Sequence, residues 1–469
     1  MFSHFKYYFC VIFAFWISTI TLSKTIYGNV SCMSNGLNSV IVSDGYTCTQ
    51  TDKDGNYSIE VNDSAYCVFI VTPSGYIAEE KDGHPQFYKN IKSDGFDFKL
   101  KKWKQADKKY QLMAIADPQP KGDLAFKRFK DEALPDIRKS MSTNRPAFAL
   151  FLGDLLWDNL DEYERLKKLL AQMGMPYYTV IGNHDHDANI ADDNLSTSTY
   201  QKHFGPTNYA FNVGKDYFIV LDNIIYGGNK KYTCGFSTQT LNWLSGYLKY
   251  LPKGAHLFIA MHAPAHYYQS NYKLRNADRF MELLEDFQVD ILSGHMHIQS
   301  NFLIKPNIRE YNIASIGGAW WLWDCKLCKD GTPYGYQIFE SSDKGLFHFY
   351  HSVGKPDTFQ FKILPSGSIK KYEDKLCIKV WNWDERWKVE WIEDGVLKGE
   401  MHPFKATDPE YGSYLNKKYA RGKHKVDKFR QPVNNVYFFF YAPVTKGTKQ
   451  VEIMVTDAYG RKYRQHINL

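Results

Sequence analysis

Tyr177-Tyr178-Thr179-Val180-Ile181-Gly182-Asn183-His184-Asp185 is the stretch from which the rest of the chain can be read. Five residues suited to a buried strand end in a turn-forming glycine, and three polar side chains follow at once. In open α/β sheets ligands sit just beyond the carboxyl ends of the strands, so a strand that ends in Asn, His and Asp marks a site. Four more apolar runs end the same way. Gln111–Ala116 leads into Asp117-Pro118-Gln119, and Ala147–Leu152 into Gly153-Asp154-Leu155-Leu156-Trp157-Asp158. His256–Met261 leads into His262-Ala263-Pro264, and Val289–Leu292 is followed by Gly294-His295-Met296-His297.

Between these runs, and the further strand Tyr217–Leu221, the period lengthens to that of helices, over Asp123–Met141, Leu160–Met173, Thr238–Tyr250 and Ala277–Phe287. Strand and helix in alternation predict an α/β domain with function on its short loops. Each loop alone is weak, since a histidine after a strand is usually satisfied by a neighbour and Gly-Asp is a common turn. The five in order are a different matter. Asp, Asn, Gln and His are the ligands that divalent first-row cations accept, and no thiolate is among them. A central carboxylate can bridge two cations ~3.5–4 Å apart, which suits in-line displacement at a phosphate ester by a hydroxide that the metals activate.

The flanks are of another kind. Tyr27–Val71 reads as short strands, Val40–Val42, Thr47–Thr51, Tyr57–Val61 and Tyr66–Thr72, broken by turns at Asp44-Gly45 and Asp52-Lys53-Asp54-Gly55, which predicts a β-sandwich. Asp52, Asp54 and Asn56 lack the bidentate glutamate of a calcium loop and read as a hairpin turn. The basic run Lys99–Lys109 reads as a solvated linker. From about Gly331 the helical pattern stops. Gly345–Tyr350, Phe359–Leu364, Cys377–Trp383, Lys388–Ile392, Val436–Tyr441 and Val451–Val455 alternate as strands of a second β-rich domain. Its Trp381, Trp383, Trp387 and Trp391 read as packing across a sheet more readily than as a sugar or base platform.

Four segments result: a signal peptide over 1–23, an N-terminal β-sandwich over 24–104, the α/β domain over 105–325 and a C-terminal β-rich domain over 326–469. The apolar run Tyr7–Leu22 is shorter than the ~20 residues of a membrane span and predicts export to the periplasm or beyond, with no span left after cleavage. A net charge of +7, spread along the chain, favours an anionic substrate but lacks the basic stripe of a nucleic-acid binder. Loss of Cys10 leaves an odd number of cysteines. Two of Cys32, Cys48 and Cys67 are close enough in sequence to bridge, while Cys325 and Cys328 read as a local disulfide or idle thiols, because no second Cys-x-x-Cys completes a zinc site.

The five motifs, in this order over about Tyr110–Trp323, resemble those of the calcineurin-like metallophosphoesterases. His203-Phe204-Gly205-Pro206, Leu221-Asp222-Asn223 and Thr240-Leu241-Asn242-Trp243-Leu244 are similar to stretches of its bacterial and purple-acid-phosphatase-like branches. The flanking domains, the first with a transthyretin-like pattern, resemble the three-part exported bacterial type. The resemblance implies a β-sandwich core flanked by helices and two divalent cations, manganese, iron, zinc or magnesium. It implies Asp154 as the bridge, Asp117, Gln119 and His297 at one metal, and Asn183, His262 and His295 at the other. Gln119 stands where many members have histidine, and an amide is a weaker donor. His184 is implied as the catalytic residue beside the scissile bond, with Asp158 as its acidic partner or a cap of the loop or of the following helix.

The expected activity is hydrolysis of a small phosphorylated substrate, monoester or diester. The alternative is an exported glycan- or partner-binding protein with a vestigial site, which Gln119 and the Trp-rich C-terminal domain would suit. The loops Asp187–Thr199 and Ala265–Ala277, with Tyr267, Tyr268, Tyr272, Lys273 and Arg275, are expected to cover the metals. Trp320, Trp321 and Trp323 either wall the pocket or form the seam with the last domain. Oligomeric state is not legible in the sequence.

Overall fold

A computed structural model describes residues 24–266, 273–321, 325–419 and 430–469. The signal segment 1–23, Tyr267, Tyr268, Tyr272 and Trp323 lie outside the described residues. Two sheets stack at the centre. One has the order Tyr177–Thr179, Ala147–Phe151, Tyr110–Ile115, Gly335–Ser342, Gly345–Ser352. The other runs Tyr209–Val213, Asp216–Val220, His256–Ala260, Gln288–Ser293, Ile308–Asn312, Ser300–Lys305. The strands that end in the polar loops are parallel, with Tyr177–Thr179 at one edge of the first sheet, and antiparallel strands close the other three edges.

The first sheet shows why its strands read as continuous apolar runs. Leu112, Ala114, Phe148 and Leu150 face the second sheet, where Phe148 meets Phe218 edge-on at 5.4 Å and Phe218 stacks on Phe258 at 4.9 Å. The alternate residues Met113, Ile115, Ala149 and Phe151 face a separate core with Phe129, Ile137, Leu166 and Leu170 of the helices. A strand covered on both faces has no polar side to show. The first of those helices, Gly122–Ser140, slips to π geometry over Phe129–Ala133 and then resumes. Pro135 has no N–H for the Asp131 carbonyl, and the Leu134 N–H reaches back to the Phe129 carbonyl instead.

The hairpin Gly335–Ser342 and Gly345–Ser352 lies beyond the boundary expected at 325/326, yet its first strand pairs with Tyr110–Ile115 and completes the central sheet. At the other end, the N-terminal sandwich has sheets ordered Asn35–Gly36, Lys24–Cys32, Phe98–Lys102, Tyr76–Ala78 and Tyr88–Asn90, Cys67–Ile70, Ile41–Ser43, Cys48–Gln50, with Asn56–Val61 also on Lys24–Cys32. Part of the expected linker is therefore a strand. Phe98–Lys102 pairs on both sides and keeps Phe98 and Leu100 buried, while its lysines are exposed. The sandwich shares one core with the central domain, and Trp243 of helix Thr238–Leu248 donates its indole N–H to Ser43 Oγ at 3.0 Å. No disulfide joins Cys32, Cys48 and Cys67. Cys328 and Cys325 are also thiols, directed at the carbonyls of Ser315 and Leu327. Among the described residues no helix is long and apolar enough to cross a membrane.

Two further four-stranded sheets form the C-terminal domain, around Ile378, Val380, Trp387, Trp391, Val451 and Ile453. Its four tryptophans pack: Trp381 is fully buried with its N–H on the Phe359 carbonyl, and Trp391 donates to Glu393. The helical pattern does not end at Gly331 as expected, since Pro409–Tyr419 is helical. Lys379 and Asp330 fasten this domain to the centre as an ion pair at 3.1 Å with both side chains at 0% exposure. Asp330 also accepts from Thr332 Oγ1 at 2.6 Å. Replacing Lys379 with Met strands a buried carboxylate, at a cost of about 3–5 kcal/mol. Urea unfolding of the full chain should show that loss, and one under ~1 kcal/mol would mean that water reaches Asp330.

Candidate metal centre

All five polar loops arrive at the same end of the two sheets, because their strands are parallel and in register: Ile115 pairs with Phe151, Phe151 with Thr179, and Ala260 with Leu292. Two glycines set how closely the loops approach. A Cβ on Gly182 would stand 2.2 Å from the Asp154 backbone N, and one on Gly294 would stand 2.6 Å from Asp117 Oδ2. The side chains that follow turn inward on unusual backbone. Asp117, Gln119, Asp154, Asp158, His295 and His297 all have positive φ, from 37° to 69°. Non-glycine residues rarely adopt that region, and such strain gathers at functional sites.

Asp154, His262 and His295 form one cluster, each offering a ligand atom within 4.8 Å of the others. His262 Nε2 lies 3.2 Å from Asp154 Oδ1, 3.2 Å from Asn183 Oδ1 and 3.1 Å from His295 Nδ1. The ring is fixed by its other nitrogen, whose N–H donates to the Leu152 carbonyl at 2.8 Å. That is the arrangement that leaves Nε2 for a metal. Burial opposes a charge on His262, but Asp154 overcomes it and pushes its pKa up to about 9. Burial, with the His262 charge beside it, pushes His295 down to about 3.

On the far side of Asp154 stand Asp117, Gln119 and His297. His297 Nε2 is 3.5 Å from Asp117 Oδ1, and Gln119 Nε2 donates to Asp154 Oδ2 at 2.7 Å. The structure thus gathers all seven residues expected to hold metal, with Asp154 between the two groups. Two observations test whether cations fit here. Gln119 Oε1 is buried without a hydrogen-bond partner, a costly state for a polar atom unless something binds it. Asp117 is fully buried, and burial raises its pKa with the nearby Asp154 charge adding to the rise, although His262 opposes it. Two carboxylates so close in a dry site call for positive charge, and the donor set fits divalent cations.

His184 faces the same space without joining either group. Its Nδ1 meets Asp158 Oδ1 at 2.6 Å, and its Nε2 lies 4.0 Å from Asp154 Oδ2. Asp158 is therefore the acidic partner and not a helix cap; its second oxygen takes Lys230 Nζ at 2.6 Å, a contact the sequence did not signal. Burial works against a charge on His184, yet Asp154 and Asp158 together raise its pKa above the ordinary imidazole value. Asp185 has a framework role, accepting from the N–H groups of Gly182 and Leu155 and from Tyr163 Oη at 2.8 Å. Asn223 and Glu310 hold the His262 loop: Asn223 Oδ1 takes the N–H of His262 and of Ala263, and Glu310 takes those of Ala265 and His266. Asn223 stood in a quoted motif without a role, and nothing in the sequence pointed to Glu310.

The tryptophans divide. Trp320 is half-buried, stacks on His297 at 4.5 Å and meets Trp157 edge-on at 5.9 Å; Trp157 in turn lies 5.5 Å from His184. Trp321 points inward, stacked on Phe129 at 5.4 Å, with its N–H on the Pro118 carbonyl. The first walls the site and the second props the Asp117 loop. Lys273 and Arg275 are exposed, and Lys273 faces Asp278 at 3.8 Å.

Three family models match in succession: the N terminal of calcineurin-like phosphoesterase over residues 24–103, the calcineurin-like phosphoesterase itself over 110–299, and its C terminal over 310–463. A probable glycerophosphodiester phosphodiesterase of Arcobacter nitrofigilis is 25% identical over 169 residues, which cover 34% of this chain and 59% of that protein. Among solved structures, a dimetal phosphatase from Danio rerio is 16% identical with a TM-score of 0.36, over 52% of this chain and 99% of that one. A purple acid phosphatase from yellow lupin is 11% identical with a TM-score of 0.40, over 67% of each chain. With the three models laid end to end over its described domains, the chain belongs to the calcineurin-like phosphoesterases.

Proposed function

We propose that the chain is a metal-dependent phosphoric ester hydrolase acting on a small phosphorylated substrate outside the cytoplasm. The observation that carries this is the convergence of two ligand groups on Asp154, with a protonatable His184 beside them. Asp117, Gln119 and His297 would hold one divalent cation, Asn183, His262 and His295 the other, and Asp154 both. Such cations, when bound, act as Lewis acids on phosphoryl oxygens and acidify water. Asp158 takes the N–H at Nδ1 and, with Asp154, favours the imidazolium, so that His184 carries a second proton on Nε2, which it gives to the departing ester oxygen. Lys230 keeps Asp158 in place. Gln119 brings a neutral amide oxygen where an imidazole would bind more firmly, so this pocket suits manganese or magnesium. The export reading rests on the layout of residues 1–23, with its apolar core and polar end.

The test is chelation and reconstitution. Dialysis against EDTA should abolish hydrolysis of p-nitrophenyl phosphate and bis-p-nitrophenyl phosphate, and added manganese, magnesium or zinc should restore it. Metal content well under one ion per chain after reconstitution, with no turnover of either ester, would favour a binding protein instead.

A further inference from the structure

The turn Cys328–Thr332 brings a lysine to the metal centre, and no motif of the sequence assigns it a task. Lys329 Nζ lies 5.7 Å from the ring of Trp320, the same ring that stacks on His297. The lysine side chain is half-buried, and burial lowers its own pKa although Asp117 opposes this. The neighbouring Asp330 is paired with Lys379 and adds only its charge at a distance, and among the described residues no ion pair involves Lys329. A partly desolvated ammonium in direct contact with no carboxylate is costly, and it is retained where an anion arrives.

The turn is held from both sides. Within it, the Cys328 N–H donates to the Thr332 carbonyl at 2.7 Å and the Gly331 N–H to the Cys328 carbonyl at 2.9 Å. From the C-terminal domain, Lys379 grips Asp330, and the Val433 N–H donates to the Lys329 carbonyl at 3.1 Å. The C-terminal domain therefore fixes the backbone of this lysine, and Trp320, itself in the left-handed region at φ 55°, touches both the lysine and His297.

We propose that Lys329 receives the second negative charge of a phosphate monoester, so that the C-terminal domain biases the centre toward dianionic monoesters over monoanionic diesters. The inference rests on the phosphoesterase reading above. A lysine is a compact point charge suited to one phosphoryl oxygen, and a diester, with its second oxygen esterified, leaves that charge unanswered.

The experiment compares wild type, Lys329→Met and Lys329→Arg, each loaded with manganese and assayed for metal content. Kinetics are taken on p-nitrophenyl phosphate and bis-p-nitrophenyl phosphate, with inorganic phosphate as competitive inhibitor. Lys329→Met should lower kcat/KM for the monoester on the order of tenfold more than for the diester, and weaken inhibition by phosphate by a similar factor. Lys329→Arg should recover most of the difference, and metal content should not move. An equal loss on both esters, no loss on either, or a loss of metal would each overturn the proposal. Wild-type activity confined to the diester would overturn it as well. Failure of the metal-loaded wild type on both esters would instead remove the reading on which it rests.

Discussion

Asp154→Asn is expected to lower hydrolysis of aryl phosphates by at least about a thousandfold, because it removes a group on which both cations and the nucleophile depend together. The substitution is nearly isosteric, so the fold should survive, with circular dichroism and unfolding midpoint as the check. One carboxylate oxygen faces His262 and the His184 N–H, and the other accepts from Gln119. Burial alone would raise the Asp154 pKa, yet the His262 and His184 charges hold it well below the usual carboxylate range. An amide there offers one neutral oxygen where two anionic ones stood. It also leaves His262 without the charge that raises its pKa, so in the metal-free protein the His262 titration should fall from about 9 toward the ordinary imidazole range, which NMR can follow. Elemental analysis should give clearly fewer ions per chain than wild type. Wild-type turnover in Asp154→Asn would remove the two-metal reading.

His184→Gln should produce a different pattern. Metal content is expected to stay near wild type, since His184 stands outside both ligand groups, while kcat falls by about 10²–10⁴ as the general acid is lost. The size of the fall should depend on the leaving group. p-Nitrophenolate departs readily as an anion and needs little protonation, so its ester should suffer least. Alkyl phosphates, whose alkoxide must be protonated, should suffer most. Equal losses across leaving groups, or a parallel loss of metal, would show that His184 acts by holding the site together and not by moving a proton.

The loops that make up the site were legible because each begins where an apolar strand ends, and apolar runs flanked by turn residues are the strongest local signal a sequence carries. Asp117, Asp154, Asn183, His184, His262, His295 and His297 come from five separate places in the chain, and parallel strands alone suffice to bring them to one end. What the sequence could not show is contact between residues with no periodic relation. Lys230 reaches Asp158 across a loop, Asn223 and Glu310 clamp backbone N–H groups, and Lys329 comes in from beyond the last motif. Of the hairpin at 335–352 only Gly345–Tyr350 reads as a strand in the sequence, and it falls in with the strands of the last domain, because alternation reports the state of a strand and not its partner; Gly335–Ser342, which pairs with Tyr110–Ile115, is not legible there. Likewise Lys99–Lys102 looks like a linker because the buried partners of that strand, Phe98 and Leu100, are outnumbered by lysines. The positive φ values of the ligand residues leave no trace in residue type, since Asp and His tolerate that region without announcing it.

That hairpin also governs the order of events as the chain is made. Tyr110–Ile115, the strand that ends in Asp117, gains one neighbour soon after synthesis, in Ala147–Phe151, but its other neighbour is Gly335–Ser342. At ~5–20 residues per second the ribosome leaves that edge open for roughly ten seconds or more. An open apolar edge is a template for unwanted pairing, and long-range strand pairing is slow to form in any case. The nascent protein therefore passes through a state with that edge exposed, and the half of the centre built on Asp117 waits on Gly335–Ser342 to be finished.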